Sequence, residues 1–326
     1  MKAIVIKQYG GPEVLAIEER PMPVVKAGQV LIEIKAFGIN QAEIYFRKGS
    51  WADVAEISGI ECVGLVSADP SGQFQVGQKV FAIVGGMGRS INGSYAEYIA
   101  VPASNVTPFN SNLAWEQLAA IPESYATAWS CLHSNLEISA GETLLIRGAT
   151  SALGQAALNI AVHVGVNVIA TTRNAERIAG LKAIGAKEVA IEAPDLHETL
   201  NVHRSGKIDA VLDLIGNTTV LGSLAVVSKN GRVCLAGFLG GGGPISNLEP
   251  VFQIPSGRHL SVFASALAIG SAEFPMNEIP FQEIVDLTAQ GVYKASPAEV
   301  FEFNRIQDAH RLLESGQANG KIVIRI

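Results

Sequence analysis

The sequence predicts an α/β fold, in which a doubly wound parallel sheet is inserted in a β-rich lobe built from both termini. Three observations predict it. Residues 143–173, TLLIRGATSALGQAALNIAVHVGVNVIATTR, read as strand, small-residue turn, helix and strand. Residues 121–262 continue that alternation. The segments on either side read mostly as short strands between turn signals.

Residues 1–120 carry strand runs at 3–6, 14–18, 30–36, 62–67, 79–83 and 94–101. Turn chemistry separates them, at Gly10-Gly11-Pro12, Pro21 and Pro23, Asp69-Pro70, Ser71-Gly72 and Gly85-Gly86. A single helical pattern, 40–46, interrupts the strands. After the unit at 143–173 come a helix at 175–184, strands at 188–191 and 208–214, a helix at 218–227 and a strand at 232–237. The apolar run 259–268 is expected to be the sixth strand. Beyond it lie a helix at 279–288, a strand at 299–303, a helix opened by Asn304 and Gln307 as a capping box and running to Glu314, and a last strand at 321–326. The two domains are therefore expected at 1–121 with 263–326, and at 122–262.

The strand–turn–helix–strand at 143–173 is the βαβ arrangement of a Rossmann dinucleotide-binding domain. Small residues in the turn let the backbone approach a pyrophosphate, and the helix N-terminus favours its charge. The amides of Thr150, Ser151, Ala152, Leu153 and Gly154 are the candidates for that contact. Matched to G-x-G-x-x-G, the chain reads Ala149, Ser151, Gly154, so only the last glycine remains. The context of strand, helix and second strand carries the assignment.

An NAD site places Asp or Glu at the tip of the second strand to hold the ribose 2′-hydroxyl. Here the tip reads Thr171-Thr172-Arg173-Asn174, with Arg177 one turn on. A carboxylate would repel a 2′-phosphate, whereas Thr172, Arg173 and Arg177 can bind one, so the expected cofactor is NADPH. The other reading of Arg173 is a solvated loop residue. Ligands of such sheets lie beyond the carboxyl ends of the strands, which puts Ile215 and Gly216 on the adenosine–ribose side and Gly237 and Phe238 toward the nicotinamide. The four-glycine run 240–243 reads as a loop at the site's mouth.

With 326 residues, 48% hydrophobic and 17% charged, the chain suits two packed domains rather than a disordered polymer. A net charge of −6 gives no pull toward nucleic acid or an anionic membrane. No apolar run approaches the roughly 18 residues that span a bilayer. The N-terminus reads directly as a strand with no signal-peptide pattern. Cys62, Cys131 and Cys234 are scattered singly, which gives neither a metal spacing nor a disulfide framework and suits a reducing, cytoplasmic compartment.

Nine segments in order, among them GINQAEIYFRKG (38–49), SGIECVGLV (58–66), GSYAEYIAVPA (93–103), LAAIPESYATAWSCL (118–132), the GATSALG turn, IDAVLDLIGN (208–217) and AHRLLESGQANGKIVI (309–324), resemble the medium-chain dehydrogenase/reductase superfamily. The chain is most similar to its zinc-independent, NADPH-dependent quinone oxidoreductase branch. The resemblance implies a GroES-like (chaperonin-10-like) catalytic domain, a homodimer and hydride transfer to quinones or α,β-unsaturated carbonyl compounds. Zinc members carry a Cys near the first-lobe helix and a His in Gly-His-Glu. This chain has Gly38-Ile39-Asn40-Gln41 and Gly59-Ile60-Glu61, so no metal is expected.

The resemblance places Asn40 beside the nicotinamide and substrate, as a donor; as a residue before a helical pattern it also reads as a cap. Tyr45 reads either as a donor or stacking platform in the cleft or as a half-buried helix aromatic. Arg47 reads as meeting a carbonyl or phosphate, or as pairing with Glu43 at i, i+4. By resemblance Thr127 opens toward the nicotinamide; otherwise it packs inside a helix. Lys321 reads either as approaching the cofactor or as a solvated strand start. An enoyl-thioester reductase is the nearest rival, but its Tyr donor position is matched here by Gly49-Ser50-Trp51. A nucleotide-binding, crystallin-like protein with little catalysis is the rival of another class.

Overall fold

The N-terminal third folds around one long strand. In chain order it comprises β1 (Lys2–Ile6), β2 (Leu15–Glu19), β3 (Gln29–Ile39), helix α1 (Gln41–Lys48), β4 (Glu61–Ala68), β5 (Lys79–Ile83), β6 (Tyr98–Pro102) and β7 (Val106–Pro108). β3 buries alternate residues over its first half, Val30, Ile32 and Ile34, and then every residue from Phe37 to Ile39. β6 pairs antiparallel with its first half, Gln29 to Glu33, β4 with Leu31 to Ala36, and the fully buried end from Ala36 to Ile39 pairs with the C-terminal strand of the chain. Asn40, extended at φ −128°, breaks the strand and caps α1. Gly49, left-handed at φ 66°, ends α1, with the Ser50 N–H returning to the Tyr45 carbonyl at 2.9 Å.

The computed structural model describes residues 1–51, 54–196, 198, 200 and 207–326. Two compact units emerge from these, Met1–Ala126 with Ser265–Ile326, and Thr127–Ala264. Helices α2 (Trp115–Leu118) and α3 (Pro122–Trp129) lead to the boundary, and a π-helical segment Ser130–Asn135 continues α3.

The second unit is a six-stranded parallel sheet in the order β10-β9-β8-β11-β12-β13. Its strands are β8 (Thr143–Arg147), β9 (Asn167–Thr172), β10 (Glu188–Ile191), β11 (Ala210–Asp213), β12 (Arg232–Leu235) and β13 (His259–Val262). The order reverses at β8, where a doubly wound sheet opens its ligand crevice. Helix α4 (Ala152–Val164) makes the first crossover, capped by Ser151 and ended by Gly165 at φ 88°. The interior strands are buried on both faces: every residue of β11 is buried, as are Leu144 to Arg147 of β8. The run 259–268 is not one strand. β13 stops at Val262 and Ser265–Ala268 is a short helix, because an apolar run by itself does not distinguish strand from helix.

The chain then returns to the first unit with a helix Phe281–Ala289, strand β14 (Glu299–Glu302), a helix Ile306–Glu314 and strand β15 (Ile322–Arg325). The seven-stranded path is β14-β15-β3-β4-β5-β7, with β6 on β3. β15 thus lies against β3, pairing Val323 with Gly38. This register joins the C-terminal segment to the centre of the N-terminal sheet. Asn304 does not cap the last helix. A 3-10 turn, Phe303–Arg305, precedes it, and Gln307 donates instead to the Leu15 carbonyl at 3.0 Å. Among the described residues no helix is long and apolar enough to cross a membrane.

Candidate functional site

In the second unit the turn after β8 is shaped by two glycines. Gly148 is left-handed at φ 82°, and a Cβ there would lie 2.9 Å from Leu239 Cδ1. A Cβ on Gly154 would lie 2.6 Å from both the Gly148 carbonyl oxygen and Ala149 Cα, so this glycine lets α4 pack on its own turn. Ser151 locks the turn: its Oγ accepts from the Gly154 N–H at 3.0 Å and donates to the Gly148 carbonyl at 2.9 Å. The amides of Gly148 and Ala149 are taken by Thr171, at 3.1 and 3.2 Å, and that of Ser151 by the Gly148 carbonyl. The N–H groups of Thr150, Ala152 and Leu153 have no acceptor among the described residues. Of the five amides expected at the mouth, Ser151 and Gly154 are spent internally, and these three remain for an anion at a helix N-terminus.

The rim is set by buried carboxylates. Asp213, at the end of β11, is 0% exposed; it accepts from the Ile215 and Gly216 amides at 2.9 and 3.1 Å and from Ser223 Oγ at 2.7 Å. Ile215 and Gly216 are therefore held at the sheet's carboxyl edge as fixed backbone. Arg147 pairs with Glu192 and donates to the Thr219 carbonyl at 3.1 Å, and Thr171 Oγ1 also reaches Glu192, at 2.8 Å. At the tip of β9 the Thr172 hydroxyl is turned inward, accepting from the Asn174 N–H and donating to its carbonyl, each at 3.1 Å. Arg173 is exposed, with no ion-pair partner among the described residues. Arg177 is half-buried at the end of a 3-10 turn, Ala175–Arg177. Phe238 is 47% exposed beside the glycine run. Thr127 is buried in α3.

The first unit contains a buried ionic cluster that the sequence does not announce. Lys321, just before β15, is 4% exposed and pairs with Glu61, which is 0% exposed at the start of β4. Its Nζ also donates to Asn40 Oδ1 at 2.5 Å and lies 3.4 Å from Ser124 Oγ. Asn40 Nδ2 donates to Glu61 Oε1 at 2.9 Å, and Glu61 Oε2 accepts from the Glu123 N–H at 2.8 Å. An ammonium can only donate and a carboxylate can only accept, so the Asn40 amide has one possible orientation. One Nδ2 proton is then fixed on Glu61, and the other is the donor that Asn40 has to offer. Gly38 makes the space: a Cβ there would sit 2.2 Å from Lys321 Cε and 2.6 Å from Glu61 Oε1.

Glu43 supports the cluster from α1. Its carboxylate accepts from the Asn40 N–H at 2.8 Å and the Ile60 N–H at 3.1 Å. Burial raises its pKa to about 7, against the opposing pull of Lys321. Glu43 is thus engaged with backbone, and its i, i+4 pairing with Arg47 does not form. Arg47 is 0% exposed and pairs with Glu314 at 2.8 Å. Near it, Tyr95 Oη and His310 Nε2 are 2.9 Å apart, and burial, helped by Arg47, lowers His310 to about 3. Tyr45 is stacked on Trp51, with centroids 5.1 Å apart and planes at 16°.

Zinc does not fit this site. The acceptor atoms of Glu61 and Asn40 already face an ammonium and amide donors. Ile60 offers no ligand atom, and Cys62 is buried with its thiol pushed far up by desolvation. Among the described residues no group of three or more His, Cys, Asp or Glu is placed to hold a metal.

Comparison with known proteins adds two family matches, "Alcohol dehydrogenase GroES-like domain" over residues 26–111 and "Zinc-binding dehydrogenase" over residues 184–324. The quinone oxidoreductase of Homo sapiens is 30% identical over 248 residues, covering 74% of this chain and 74% of that protein. That of Lama guanicoe is 27% identical over 335 residues, covering 99% of this chain and 97% of the relative. Among solved structures, the Escherichia coli quinone oxidoreductase complexed with NADPH superimposes with a TM-score of 0.86 at 26% identity, covering 100% of both chains.

Proposed function

Since the chain belongs to the medium-chain dehydrogenase/reductase superfamily, in its quinone oxidoreductase branch, and is an oxidoreductase of that type, we propose that it is an NADPH-dependent, metal-free reductase of quinones or α,β-unsaturated carbonyl compounds. The observation that carries this reading is the pairing of three open amides, Thr150, Ala152 and Leu153, with an exposed Arg173 on a strand tip that lacks a carboxylate. The amides suit a diphosphate, and Arg173, with Arg177 one turn on, suits a 2′-phosphate. The inward-turned Thr172 hydroxyl leaves that role to the arginines. Ile215 and Gly216 would bound the adenosine side as rigid backbone.

NADPH, when bound, supplies a hydride. The protein's part is positioning and charge. As an electron-poor acceptor is reduced, negative charge grows on its oxygen. Asn40 presents its second Nδ2 proton as a donor for that oxygen, and Lys321 and Glu61 behind it fix the amide's orientation. Tyr45, held by its stack on Trp51, serves as a wall rather than as the proton source. Trp51 has no acidic hydroxyl, which favours the quinone and enone reading over the enoyl-thioester one. Thr127 remains a proposed contact of the nicotinamide, and Phe238 one of the loop beside it.

The same reading includes a homodimer. β13 is an edge strand with Leu260 45% and Val262 66% exposed, an edge that pairing with a second copy would cover. Three buried free cysteines suit a reducing, cytoplasmic compartment. The test is the ratio of kcat/KM for NADPH and NADH with phenanthrenequinone, in the wild type and in Arg173→Ala. NADPH preference that falls about tenfold or more in the variant is expected for loss of a charge-assisted contact. A preference for NADH that the substitution leaves unchanged contradicts the assignment.

A further inference from the structure

A pocket of about 310 Å³ lies in the first unit, and no residue role described above accounts for it. Its wall is apolar along Ile60, Val84, Met87 and Leu267, and the side chains of Arg89 and Ser90 are its polar ones. Ligand pockets have this make-up, a mostly apolar wall with a few placed polar groups, and start at about 300 Å³. Ile60 joins the pocket to the buried cluster, because its N–H is held by Glu43 and the next residue is Glu61.

The backbone around the pocket is held in an unusual shape. Val84 has φ 48°, which a β-branched residue rarely adopts, and Gly85, Gly86 and Gly88 are also left-handed. The Val84 N–H is fixed on the Ile60 carbonyl at 2.7 Å, and the Gly86 carbonyl accepts from the amides of Arg89 and Ile91 at 3.0 and 3.1 Å. Strain of this kind persists only where neighbours enforce it, and it gathers at ligand-binding positions. Here its consequence is to deliver Arg89 to the pocket. Arg89 Nε is enclosed and has no hydrogen-bond partner, and no carboxylate among the described residues pairs with the guanidinium. A cation with no carboxylate partner among the described residues, set against an apolar wall, is matched by an anionic group on an otherwise apolar ligand.

We propose that this pocket receives the hydride acceptor and that Arg89 selects acceptors carrying a carboxylate, so that the substrates are carboxylate-bearing enones or quinones. The identity of the pocket's ligand as a hydride acceptor rests on the reductase reading; the carboxylate preference does not.

The two are tested separately. Benzylacetone and its para-carboxylate are redox-inert ketones that differ by one charge. Calorimetric titration of each into the wild type, Arg89→Ala and Arg89→Gln measures selection without chemistry. The carboxylate is expected to bind the wild type about tenfold or more tightly than the neutral ketone, and both variants should lose that margin while binding benzylacetone as before. Equal affinity for the two ketones in the wild type, or a preference kept in the variants, overturns the proposal. The two variants guard against one of them failing to fold. NADPH turnover with benzylideneacetone and its para-carboxylate is then followed in the wild type. Carboxylate-selective binding without turnover of either enone overturns the reductase reading alone.

Discussion

Glu43 offers a perturbation whose size and sign follow from its surroundings. Its carboxyl is 0% exposed, and burial lifts it from the ordinary 4.5 to about 7. The folded pKa lies above the unfolded one, so between those values the folded chain holds more protons than the unfolded chain. Stability from this group is therefore complete below about pH 4.5 and is lost as pH rises through about 7. At about 1.36 kcal/mol per pH unit, the rise from 4.5 to about 7 amounts to about 3 kcal/mol. Glu43→Gln removes the ionisation. It also turns a side-chain NH2 toward one of the two amides, Asn40 or Ile60, that the carboxylate now accepts from. That mismatch costs about 1–3 kcal/mol, but equally at every pH. His310, lowered to about 3, loses its contribution in the opposite direction, as pH falls below about 6.5, and does so in both proteins. The assay is urea unfolding of wild type and variant from about pH 4.5 to about pH 8. The wild type is expected to lose about 3 kcal/mol relative to the variant across that range. A difference that stays constant with pH refutes the account of Glu43 as a buried group that ionises near neutrality.

Lys321→Met leaves the buried Glu61 carboxylate with only amide donors, and should lower stability by about 3–5 kcal/mol, measured by denaturant unfolding. Adding Glu61→Gln should restore much of the loss; a double variant no more stable than the single one contradicts the pairing. Gly154→Ala forces a Cβ to within 2.6 Å of the Gly148 carbonyl. It should cost about 1–3 kcal/mol of stability by overpacking and weaken NADPH binding, because the turn must open. Thermal unfolding and NADPH titration check both, and an unchanged protein would show that the close packing is not needed.

The period of the apolar residues made the βαβ unit legible, and Ser151 and Gly154 stand where a capped helix needs them. What the sequence could not show were partnerships made in three dimensions. Glu61 drew notice only as the neighbour of Ile60, yet it is the anion of the cluster. Lys321 was open to two readings until β15 was seen against β3, which buries it beside Gly38. The Ser151 and Gly154 amides were expected to face a phosphate, but the first is taken by the Gly148 carbonyl and the second by the Ser151 hydroxyl. Thr172 was expected to do the same, and its hydroxyl closes the Asn174 turn instead. Asp213 passed unremarked, because a buried carboxylate that serves loop amides has no local signature. The run 259–268 misled because hydrophobicity without a period does not fix an element type.

Calorimetric titration of the protein with NADPH, and separately with NADH, tests the central claim most directly. Saturable binding at one site per chain, tighter for NADPH, is the predicted result. No heat of association with either coenzyme, in a protein shown to be folded, would contradict it.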